Sequence, residues 1–173
     1  KTFLNLAALC VLLSFSTCFP YEGGNWPQDG YRPVYGTSAD LEITWQTSRD
    51  ITHPGKIYVY GSYLLINEFQ QGIHVYNNTN PAEPFAVGFI RISGNTDMAV
   101  KDNVLYADHA GDLVSITLSD FTTLTERGRL PIDTWDTGVP PPAQSYFECV
   151  DPSQGIVIAW KQTKLKNLEC YAE

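Results

Sequence analysis

The stretch from Lys56 to Arg129 is written twice, and that duplication limits the fold more than any other feature of the chain. One copy opens Lys56-Ile57-Tyr58-Val59-Tyr60-Gly61-Ser62-Tyr63-Leu64-Leu65-Ile66-Asn67, the other Asp97-Met98-Ala99-Val100-Lys101-Asp102-Asn103-Val104-Leu105-Tyr106-Ala107-Asp108. At an offset of 41 residues, Ile57 answers Met98, Val59 answers Val100 and Leu64 answers Leu105. After a one-residue gap, Ile73-His74-Val75-Tyr76 meets Leu113-Val114-Ser115-Ile116. Period-2 alternation marks half-buried strands, and no 3.6-residue period competes with it. The first copy divides into strands at Lys56–Tyr60, Tyr63–Ile66, Ile73–Tyr76 and Phe85–Ile92. The second divides at Asp97–Lys101, Val104–Asp108, Leu113–Leu118 and about Thr123–Leu130. Gly61-Ser62 and Asp102-Asn103 are two-residue hairpin links, where a positive φ is needed. Tyr63-Leu64-Leu65-Ile66 is apolar on both faces, so both sides of that strand must be covered. A roughly 40-residue unit of four short strands is the period of a propeller blade.

The net charge of −8 excludes nucleic acid and anionic membrane surfaces as expected partners, because phosphate binding relies on Lys and Arg. Lys1 and the apolar run to Leu13 have the form of a secretory signal. The run ends Ser14-Phe15-Ser16-Thr17-Cys18, which resembles a lipobox, with Phe15 where Leu is usual and Thr17 where Gly or Ala is usual. On that reading 1–18 is a signal peptide and Cys18 carries the lipid. Ordinary cleavage with Cys18 as a bystander is the alternative. After Cys10 and Cys18 are accounted for, Cys149 and Cys170 remain, and a disulfide is the default in an exported chain. The alternative is two separate thiols.

Residues 19–54 read as a Gly- and Pro-rich tether, with a short helix or turn started by Ser38. Residues 55–173 hold the repeats and a C-terminal hairpin, Tyr146–Val150 with Ile156–Trp160. The expected fold class is therefore all-β: a partial β-propeller of about two four-stranded blades plus that hairpin, preceded by a signal helix.

Leu113-Val114-Ser115-Ile116-Thr117-Leu118-Ser119-Asp120 resembles the LVIVD repeat, and Ile73–Pro81 keeps its Asn-Pro ending. The second copy departs from the pattern at Phe121, where the repeat has Pro. With Tyr31-Arg32-Pro33-Val34-Tyr35 before the copies and Phe147–Pro152 after them, the chain is similar to LVIVD-repeat β-propeller lipoproteins of the Bacteroidetes type. The resemblance implies an outer-membrane or cell-surface location, a periplasmic or secreted one being the alternative. It transfers no catalytic residue. Two blades and a hairpin do not close a ring, so the expectation is an N-terminal fragment whose remaining blades follow Glu173. A dimer or larger assembly that completes the ring is the other solution.

No catalytic, phosphate-binding or metal-binding motif occurs, and no cofactor is implied. The positions after the second strand of each copy are the candidates for a convergent polar rim: Asn67 and Glu68, Asp108 and His109. Carboxylate beside imidazole suits a metal or acid–base chemistry, whereas loop ends on a solvated rim need neither. Trp26, Trp135 and Trp160 are candidates for stacking on sugar rings, or for ordinary core positions. The leading expectation is a surface-anchored binding or scaffolding module, not an enzyme, with a glycan or protein ligand. Its rivals are a glycan-active enzyme with its site on absent blades and a structural envelope protein.

Overall fold

In a computed structural model the described residues are 27–173, apart from 120, 122, 133, 134 and 136. The signal segment, Cys18 and Trp26 lie outside them. The described chain is all-β, with no α-helix and three separate sheets, none closed. In chain order the strands begin with β1 (Gln28–Gly36) and β2 (Thr44–Gln46). The first copy forms β3 (Pro54–Tyr60), β4 (Tyr63–Glu68), β5 (Gly72–Asn77) and β6 (Phe85–Arg91). The second forms β7 (Met98–Lys101), β8 (Val104–His109), β9 (Asp112–Thr117) and β10 (Thr125–Pro131). β11 (Ser145–Phe147), β12 (Ile156–Leu165) and β13 (Cys170–Ala172) follow.

Each copy is its own antiparallel meander, in the orders β3-β4-β5-β6 and β7-β8-β9-β10. Both hairpin links are where the sequence places them. Gly61 takes φ 56°, and Asp102 and Asn103 take φ 50° and 61°, the left-handed pair that suits the twist of a two-residue hairpin. Because side chains alternate, each sheet has two distinct faces. Tyr58, Leu65 and Val75 form one cross-strand row of the first-copy sheet. Leu65 and Val75 bury against Leu105, Val114 and Ile116 of the second copy, which makes the main core. The tyrosines of β3 also bond across: the Tyr58 hydroxyl donates to the Val100 carbonyl at 2.9 Å. β3 and β7 therefore run side by side at one rim of the stack, where Lys56 pairs with Asp97 at 2.9 Å.

The flanking segments depart from the sequence reading. Residues 28–46 are not a tether. β2 extends the first-copy sheet beyond β6, and β1 is the second strand of a third sheet in the order β12-β1-β11-β13. The expected C-terminal hairpin is absent, because β1 stands between its two strands. β1 runs antiparallel to β12 from Gln28↔Leu165 to Gly36↔Ile156 and touches β11 in parallel at Tyr31↔Phe147. This pairing joins chain segments more than 100 residues apart, and no local pattern encodes it. Phe147, Val157 and Trp160 form the small core of this sheet. The short helical element is a 3-10 turn at Ser38–Leu41, capped by Thr37 and not Ser38. The Asp40 carboxylate accepts from the Thr37 N–H at 2.9 Å and from its hydroxyl at 2.8 Å.

Candidate functional site

The four polar positions expected at a solvated rim are placed otherwise. Asn67, Glu68 and His109 are fully buried, and Asp108 is half-buried. Nor do they converge on one point. Each carboxylate is the centre of a clasp that holds the chain entering the first strand of its copy.

In the first copy, the Glu68 carboxylate accepts from the Thr52 hydroxyl, from the Thr52 N–H at 3.1 Å and from the His53 N–H at 2.6 Å. The imidazole Nε2 of His74, directly behind it, lies 3.0 Å from Oε2. Burial by itself pushes the Glu68 carboxyl up. The bonds from Thr52, His74 and His53 outweigh that and hold it at about 2. In the second copy, Asp108 accepts from the Thr96 hydroxyl, from the Thr96 N–H at 2.9 Å and from the Asp97 N–H at 2.8 Å. The shared plan is a Thr and the next backbone N–H, gripped by a carboxylate at the end of the second strand. Repeat alignment hides this, because Asp108 answers Asn67 while Glu68 does the gripping, one position later with a longer side chain.

Asn67 and Asp108 are connected through Asn95, a residue that sequence reasoning missed. The Asn67 amide donates to Asn95 Oδ1, and Asn95 Nδ2 donates to Asp108 Oδ1 at 2.8 Å. Asn95 is fully buried between the copies, in the loop before β7. An Asn in a Ser-Gly-Asn-Thr stretch looks like an ordinary turn residue, so only tertiary contact reveals its role.

His109 belongs to a different cluster. Arg129 Nη1 donates to its Nδ1 at 2.8 Å, so the neutral ring carries its proton on Nε2. Arg129 also pairs with Asp112 at 2.9 Å and with Glu126 at 3.0 Å. Burial, and then the positive charge of Arg129, lower the His109 imidazole to about 4. Among the described residues no group of three His, Cys, Asp or Glu side chains could hold a metal ion.

One open cleft nearby is mainly apolar. Where the turns of the first two sheets meet the Pro-rich segment leading to the third, a cleft of about 290 Å³ is lined by Phe69, Ile132, Val139, Pro140 and Pro142. Phe69 is half-exposed there, and Gln70, Thr96 and Asp108 contribute polar edges. Gln70 is itself anchored, accepting from the Trp160 N–H at 3.1 Å. Trp160 is not a stacking platform: it is buried, edge-on to Phe147 at 5.4 Å, and its indole N–H donates to the Val139 carbonyl at 2.9 Å. Cys149 and Cys170 are disulfide-bonded, with Cα atoms 5.4 Å apart, and the bond ties β13 to the end of β11. Comparison with family models, with curated proteins and with solved structures finds no match.

Proposed function

We propose that the chain is a binding module, built on propeller-type blades and held at a cell surface by a lipid on Cys18. The two copies stand as separate four-stranded meanders, face to face, with β3 and β7 adjacent at one rim. That arrangement supports the propeller reading. The LVIVD-like segments and the lipobox-like Cys18 support export and anchoring.

The observation that carries the binding reading is the contrast between the buried carboxylate clasps and the open cleft. Both oxygens of Glu68 and of Asp108 are already accepting hydrogen bonds, so neither carboxylate is free for acid–base work. The cleft that Asp108 edges presents mainly apolar and ring surface, with Gln70, Thr96 and Asp108 as its polar groups, which is the character of a recognition site. A glycan ring or an apolar peptide side chain fits such a lining. The test is a screen of glycans and peptides against the purified protein and its Phe69→Ala and Ile132→Ala variants. Binding that both variants weaken supports the reading. Binding indifferent to both, or none at all, refutes it. Cys18 is tested separately: radiolabelled palmitate enters the wild type and not Cys18→Ser.

A further inference from the structure

The first-copy sheet buries only one of its faces against the second. Its opposite face carries the cross-strand rows Ile57–Ile66–His74 and Val59–Leu64–Tyr76. The turn end of this face is covered by the segment between β2 and β3. There the Arg49 guanidinium lies 3.6 Å from the centre of the Phe89 ring, and Thr52 and His53 reach Glu68. The rest is open: Ile57 and Val59 are each 62% exposed and Ile51 is 37% exposed, with Leu64 and Tyr76 half-buried beside them.

The repeat says what such a face is for. The second-copy equivalents of Ile57 and Leu64 are Met98 and Leu105, which are 2% and 0% exposed because they pack on the first copy. Val100, the equivalent of Val59, packs on the same core. The first copy thus shows to solvent the very positions that the second copy uses for docking. The complementary surface is also in the chain and also open. It is the far face of the second-copy sheet, where Tyr106 stands in the place of Leu65 and Leu113 in the place of Ile73. Tyr106 and Leu130 are exposed on that side. Ala99, Tyr106, Leu113 and Ile132 line a groove of about 230 Å³ there, edged by the Lys56–Asp97 ion pair and Asp108.

We infer that the open face of the first-copy sheet takes the far face of the second-copy sheet of another copy of this chain, head to tail. The contact is heterologous, with different surfaces on the two partners, so it extends a stack toward a ring and does not stop at a symmetric pair. It is weaker than the contact inside one chain. Ala99 stands where Tyr58 stands, so the hydroxyl bond to the Val100 carbonyl has no counterpart. This inference depends on the repeat geometry and not on the ligand or the anchor.

Sedimentation velocity over a roughly hundredfold concentration range reads it directly, since association is driven by mass action. The wild type is expected to sediment faster as concentration rises. Val59→Lys and Tyr106→Lys, each altering one face, are each expected to weaken association by about tenfold or more, because a lysine there would be buried unpaired. Mixing the two variants restores a single one-to-one complex, because each keeps the face that the other lacks. A wild type that stays monomeric throughout overturns the inference. So does a Tyr106→Lys variant that associates like the wild type, which would mean that the first-copy face pairs with itself. Circular dichroism verifies that the variants are folded, and Ile57→Lys replaces Val59→Lys if the latter is not.

Discussion

Replacing Glu68 by Gln tests whether the buried carboxylate clasp holds the fold together. The side chain keeps its size but loses its charge, and one of its two oxygens becomes an amide that cannot accept. The N–H groups of Thr52 and His53 and the Thr52 hydroxyl then compete for one remaining acceptor in a site where Glu68 is 1% exposed. The magnitude follows from proton linkage. The carboxyl lies at about 2 in the folded chain against an ordinary 4.5, and that gap corresponds to about 3 kcal/mol of stability at neutral pH. The sign is fixed by the direction of the shift. A depressed carboxyl stabilises the fold above its unfolded value of 4.5, and the contribution disappears as pH falls from there toward about 2. Urea unfolding of the wild type and Glu68→Gln at several pH values measures it. Every other acid is common to both proteins, so the difference between them reports on Glu68. The expected result is a gap of about 3 kcal/mol at pH 7 that narrows steadily below pH 4.5. A gap that is small at pH 7, or that does not change with pH, refutes the account of the clasp.

Gly72→Ala is expected to destabilise by about 3 kcal/mol in the same assay, because φ is 141° and an added Cβ would run into the Ile90 carbonyl; a loss below about 1 kcal/mol would contradict that geometry. Cys149→Ala with Cys170→Ala removes a cross-link between residues 21 apart and should cost roughly 3 kcal/mol in thermal or denaturant unfolding. Reductant should affect only the wild type. For His109, NMR of the imidazole is expected to show a neutral ring from pH 7 down to pH 5, with protonation centred at about 4. Because that value is lowered, neutral His109 supports the fold above 6.5 and the support fades as pH falls toward about 4. A midpoint near 6.5 would mean that the ring is not enclosed beside Arg129.

The sequence alone determined the two copies. Alternation, the apolar run Tyr63–Ile66 and the turn pairs Gly61-Ser62 and Asp102-Asn103 place eight strands to within two residues of where they form. These are local signals: a hairpin needs only its own turn and its own alternating faces, and both are written within a dozen residues. The tertiary structure decided the rest. β1 and β12 pair across most of the chain, and two strands with suitable faces carry no mark of which partner they will meet. The polar positions show the same limit. Their spacing identified Asn67, Glu68, Asp108 and His109 as special, yet a carboxylate has one name whether water or three hydrogen-bond donors surround it. Only packing brought Thr52, His53, Thr96 and Asn95 around those side chains and turned an expected rim into buried clasps.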